Sequence, residues 1–94
     1  MIRSEKKYVL AWTHKQALHF ARSMMGWARS EWQFVDAKGD ALRGLYGVVL
    51  YDIRAPRYQP SLNDRENMER CRREIVDPGL QSGRIVKINV VNLP

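Results

Sequence analysis

Two stretches of this chain are apolar without interruption: Tyr8-Val9-Leu10-Ala11-Trp12 and Val48-Val49-Leu50-Tyr51. Neither alternates with period two, so neither is a strand with one face in water. Continuous apolar strands are covered on both faces, and that is the habit of parallel sheets flanked by helices. Each stretch is followed by helical patterning, which makes two β-α-β units and implies right-handed crossovers.

The first helix is expected over 14–25. Thr13 is its N-cap, and Gln16 stands three residues later to complete a capping box. Ala17, Phe20, Ala21, Met24 and Ala28 form an apolar stripe at helical spacing, which Leu18 and Met25 widen. Gly26 supplies the left-handed residue that ends the helix, and Trp27 can fold back on its last turn. A short strand follows at 31–35, with Trp32 and Phe34 on one face. Residues 36–47 read as a loop with one helical turn at Asp40-Ala41-Leu42-Arg43. The second apolar strand covers 48–53, and Pro56 and Pro60 mark an irregular connection after it.

A second helix is expected over 64–76, capped by Asn63 with Glu66 completing its box. Its apolar stripe is narrow, Met68, Cys71 and Ile75. The pairs Glu66/Arg70 and Glu69/Arg73 lay a solvated charge ladder on its outer side. Asp77-Pro78-Gly79 ends it. The last strand, over 84–91, places Val86, Ile88 and Val90 on one face and Lys87 and Asn89 on the other.

The expected fold is therefore α/β: one domain over 1–94 with a small four-stranded, mostly parallel sheet in the chain order β-α-β-β-α-β. The first and third strands lie inside and the other two at the edges. The spatial order is 2-1-3-4 or 2-3-1-4, and either puts one helix on each face in a Rossmann-like arrangement.

In such sheets ligands settle beyond the carboxyl ends of the strands, where the chain direction switches. Thr13, His14 and Lys15 follow the first strand there, and Asp52, Arg54, Arg57 and Tyr58 end or follow the third. These seven are the ligand- or anion-binding candidates. Two guanidinium groups beside an aromatic ring suit a phosphate or a base, and equally a protein partner. Val48-Val49-Leu50-Tyr51-Asp52 resembles the Walker B strand of P-loop ATPases. Trp12-Thr13-His14-Lys15-Gln16, however, has no glycine and no Lys-Ser/Thr pair to cradle a triphosphate. No catalytic residue is assigned, and no cofactor is called for. His14 and His19 sit five residues apart, roughly 140° around a helix, so they cannot chelate one metal from one face. No metal site is assigned.

Leu18, Met25, Trp27 and Trp32 exceed what one helix needs for its contact with the sheet. They are candidates for self-association as a symmetric dimer. The competing expectation is that the 36–47 segment covers the gap within one chain. Sixteen basic residues, eleven of them arginine, against ten acidic ones give a net charge of +6. That favours nucleic acid, phosphate or an acidic protein surface as partner. No polybasic block concentrates the charge. No apolar run is long enough to span a bilayer. A lone cysteine, Cys71, excludes an internal disulfide. The cytoplasm is the expected compartment.

The apolar first strand, the Thr13-His14-x-x-Ala17 helix start, Trp32-x-Phe34-Val35 and the run Leu42-Arg43-Gly44-Leu45-x-Gly47 together resemble small phage-encoded accessory proteins of Rossmann-like α/β type. The resemblance implies a non-catalytic interaction module acting on a protein of the bacterial host cytoplasm, and it carries over no catalytic residue. The alternative is nucleotide or nucleic-acid binding through a basic crevice at the carboxyl ends of the central strands.

Overall fold

A computed structural model of the chain describes residues 2, 3, 6–36, 42 and 44–93, with side chains from residue 6 onward. In chain order the elements are β1 (Ile2–Arg3), β2 (Lys7–Leu10), α1 (His14–Leu18), β3 (Trp32–Phe34), β4 (Leu45–Tyr46), β5 (Val48–Arg54), α2 (Leu62–Cys71), α3 (Asp77–Gln81) and β6 (Ile85–Asn92). Four strands form the main sheet in the order β3-β2-β5-β6, and every pairing is parallel. This is the 2-1-3-4 arrangement, with both apolar strands inside. β1 and β4 add a separate two-residue parallel pair.

The core divides into two layers, one on each face. Val9, Ala11 and Ile53 meet Ala17, Phe20 and Ala21 of the first helix. Tyr8, Leu10, Val48 and Leu50 meet Met68 and Cys71 of α2 on the other side. Each fully buried leucine contributes about 1.5–3 kcal/mol by leaving water. Between β3 and β5, Val35, Leu42 and Leu45 belong to the α2-side layer. So Leu42 and Leu45 of the 36–47 segment cover part of that face within one chain. Asp40, Ala41 and Arg43 of the expected helical turn lie outside the described residues.

The first helix runs on from α1 into a wider π-type turn over His19–Met24. Met25 N–H donates to Phe20 O at 3.1 Å, and Trp27 N–H donates to Ala21 O at 2.8 Å. Gly26, at φ +68°, turns the chain as expected. The extra residue per turn rotates the expected stripe out of register. Met24 and Ala28 therefore face solvent, and Trp27 packs edge-on against Phe20 instead.

The second helix differs from expectation at both ends. Its cap is Ser61, whose Oγ accepts from Asp64 N–H at 3.1 Å, rather than Asn63. Asp77-Pro78-Gly79 does not end it. A π-type turn over Arg72–Val76 leads into α3, with Pro78 in the first turn of α3, where a missing N–H costs little. Gly79 serves the packing: a Cβ there would lie 2.7 Å from Ile85 Cδ1. The outer ladder is solvated, and neither Glu66/Arg70 nor Glu69/Arg73 closes into an ion pair among the described residues.

β6 carries a bulge. Val48 pairs with Ile85 but Val49 pairs with Lys87, which leaves Val86 extra. The alternation expected across 86–90 therefore starts one step off, and Ile85 and Ile88, three apart, share the α2-side layer. Among the described residues no helix is long and apolar enough to cross a membrane.

Candidate functional site

β5 outruns β2 by two residues, and those residues build the site. Leu10, the last residue of β2, pairs with Asp52, and β5 continues to Arg54. Asp52 is 3% exposed, the one buried charged side chain among the described residues. A carboxylate there requires cationic donors. Arg72, entering from the end of α2, places Nη2 3.2 Å from Oδ1, with Nη1 and Nη2 both 3.4 Å from Oδ2. Arg54 lies two residues along β5, hence on the same face, and its Nη2 donates to Oδ2 at 3.3 Å. Two guanidinium groups on one carboxylate leave a net positive charge. Each retains N–H donors that Asp52 does not use.

Arg54, Arg72 and Asn92 line an open cleft of about 550 Å³ whose apolar walls include Trp12, Tyr58 and Met68. Trp12 and Met68 also wall a second hollow of about 280 Å³ over the ends of β2 and β3. The two hollows differ in charge, because Asp36 and Asp64 line the second. Tyr58 spans the divide, its hydroxyl donating to Asp64 Oδ2 at 2.7 Å. That hydrogen bond holds the phenol protonated and raises its pKa above the ordinary 10.0. In the second hollow burial pushes the Cys71 thiol up, with the Asp36 carboxylate adding to the effect. Cys71 is the small buried hydrophobe its stripe implied.

Trp12 stands at the switch point, between the crossover leaving β2 and that leaving β5. A phosphate-binding fold keeps glycines there so that backbone amides can approach the ligand. Here an indole fills the position.

Of the residues expected at the crevice, Asp52, Arg54 and Tyr58 come together at the basic cleft. Thr13 and His14 face the acidic hollow instead. Thr13 Oγ1 accepts from Gln16 N–H at 3.2 Å, which is the cap. The return half of that box is missing, since Gln16 Oε1 is buried without a partner. His14 stacks on Trp32 at 6.0 Å and meets Phe34 edge-on at 5.3 Å. Lys15 lies on the outer side of the first helix with Leu18, His19 and Arg22. Arg57 is exposed in the turn closed by Tyr58 N–H to Ala55 O at 3.0 Å, and it does not line the cleft.

Three of the four self-association candidates share the layer beneath the first helix. Trp32 is buried, Trp27 packs against Phe20 and Tyr51, and Leu18 is half-buried in the same layer. Met25 alone of the four is exposed, at 45%. Leu18, Trp27 and Trp32 are thus taken up inside the chain, and Met25 is not.

Arg72, Asn92 and Trp12 were not singled out from the sequence. Arg72 had a signal: it stands four residues after Met68 and next to Cys71, which puts it beside the buried stripe of α2. No known protein family, curated protein or solved structure matches this chain.

Proposed function

We propose that this chain is a non-catalytic binding module whose basic cleft receives acidic side chains of a protein partner. The observation that carries the reading is the pair of guanidinium groups, Arg54 and Arg72, held on buried Asp52 at the wall of an open cleft. Asp52 fixes both planes in advance, so little side-chain entropy remains to be lost on binding. Arginine beside Trp12 and Tyr58 is the composition of an interface centre. In keeping with the resemblance to phage-encoded accessory proteins, the partner is a protein of the host cytoplasm.

A nucleotide fits less well. Trp12 fills the place where phosphates would approach the backbone, and the carboxylates of Asp36 and Asp64 line the adjoining hollow. Nucleic acid is the second reading, favoured by exposed Arg57 beside the cleft and by the net charge of +6.

Fluorescence anisotropy separates the two readings, using a labelled Glu/Asp-rich peptide that carries one aromatic residue and a labelled single-stranded oligonucleotide. The account expects the peptide to bind and Arg54→Ala to weaken it by about tenfold, the scale of one charge-assisted hydrogen bond. Tighter binding of the oligonucleotide, with Arg54→Ala and Arg57→Ala each lowering the salt slope by about one, would favour nucleic acid.

A further inference from the structure

β6 is an eight-residue edge strand. It pairs with β5 on one side, and among the described residues no strand pairs with it on the other. We infer that β6 pairs antiparallel with β6 of a second copy of this chain about a two-fold axis at Asn89, joining the two sheets into one of eight strands.

The backbone sets the register. Leu93 N–H donates to Arg54 O at 2.7 Å, so Leu93 faces β5. N–H and C=O of one strand residue share an edge, and the edge alternates along the strand. Val91 and Asn89 therefore also face β5, while Ile88 and Val90 present unpaired N–H and C=O groups outward. A two-fold at Asn89 sets Ile88 opposite Val90 of the other copy, and Val90 opposite its Ile88. Those outward groups then form the hydrogen-bonded pairs of the new ladder. The bulge at Val86 lies outside this ladder and does not disturb it.

Side chains agree with that register. Val90 pairs with Asp52 and Ile88 with Leu50 in the parallel ladder, which puts both on the α2 face. Val90 is 53% exposed and gains an isoleucine neighbour across the axis. Asn89 meets its own copy, and amide against amide satisfies donor and acceptor alike. β6 holds one charge, Lys87, which falls opposite Val91. An axis two steps towards the N-terminus would set Lys87 against Lys87, a destabilising like-charge pair. The strand is thus complementary to itself, which is the argument for a second copy as its occupant. One strand pair covers less than the ~800 Å² per partner of a standard interface, so the dimer is weak and concentration-dependent. Both copies carry +6. Added salt screens that repulsion and strengthens the dimer, whereas it weakens the binding of an acidic peptide in the cleft.

The register gives a sharp test. Asn89 faces its copy in a non-hydrogen-bonded pair, with Cα atoms about 4.5 Å apart, inside the range a disulfide spans. Asn89→Cys should cross-link to dimer under mild oxidation, while Lys87→Cys, the more exposed of the two positions, should not. Sedimentation equilibrium of the unmodified chain should show mass rising with concentration and with salt. Val90→Pro removes one outward N–H and no bond to β5, and should stay monomeric with an unchanged circular dichroism spectrum. Equal cross-linking at 87 and 89, a monomer at every concentration and salt, or a Val90→Pro variant that still dimerises would each overturn the pairing.

Discussion

Burying a carboxylate as deeply as Asp52 is costly unless cations reach it inside the fold. Arg72 and Arg54 both do, so the site and the stability of α2 on the sheet are the same interaction seen twice. Arg72→Ala should destabilise the chain by roughly 1–3 kcal/mol, less than a fully buried pair would cost, because Arg54 remains and Arg72 is partly in solvent. Urea denaturation measures this, and an unmoved midpoint would show that α2 docks without the pair. Asp52 and Arg54 were legible in the sequence, since residues two apart at the end of a buried strand share a face. Arg72 was not. Its neighbours Arg70 and Arg73 belong to the solvated ladder, and charge alone does not distinguish the arginine that turns inward.

Tyr58 gives the pH prediction at the same scale. Its pKa is raised by the bond to Asp64, so the protonated phenol is the form that stabilises the folded state. That contribution is complete below the unfolded pKa of about 10 and is lost as pH rises through the higher folded value. In an ultraviolet titration of tyrosinate, one group should ionise above the ordinary range, and Tyr58→Phe should remove it. Loss of a tyrosine with ordinary titration would contradict the hydrogen bond.

Gly79 of α3 lies against Ile85 of β6 with no room for a side chain between them. Ile85 is 3% exposed and cannot swing away into solvent. Gly79→Ala should therefore cost about 1–3 kcal/mol by overpacking. Ile85→Val removes the Cδ1 that the new methyl would strike, so the double variant should be less destabilised than the sum of the two single changes. Strict additivity in thermal melts would mean that the contact does not limit the packing. The sequence offered Asp77-Pro78-Gly79 as a helix end, because each residue has that meaning in isolation. A π-type turn upstream lets the chain meet proline in the first turn of a new helix, and packing against a strand distant in sequence explains the glycine. For the same reason Val86 was misread, although Ile88 and Val90 do share a face: the bulge at Val86 is set by pairing with β5, and pairing across the sheet leaves no local signature. The first helix was read correctly where its signals are local, the Thr13 cap and the Gly26 turn, and wrongly at Met24, where the helix widens.

Across the whole molecule hydrophobicity placed the two apolar strands inside, while the choice between the orders 2-1-3-4 and 2-3-1-4 is made only by the pairing across the sheet. Two uninterrupted apolar strands must be central, and right-handed crossovers then send α1 and α2 to opposite faces. The position of the cleft followed from the same topology, but its division did not. Trp12 and Met68 split the crevice into a basic cleft and an acidic hollow, and Asp64 reaches the second from a helix whose start depends on the Ser61 cap. The net charge of +6 is spread over the surface, so an acidic ligand could be held by the cleft or by diffuse attraction. Two-dimensional ¹⁵N NMR during titration with the Glu/Asp-rich peptide distinguishes them directly. Binding in the cleft should give saturable shifts confined to Trp12, Arg54, Ala55, Tyr58, Arg72 and Asn92, including the Nε–Hε signals of Arg54 and Arg72. Shifts spread over Lys15, Arg22, Arg65 and Lys87, with the cleft no more affected than the rest, would contradict it.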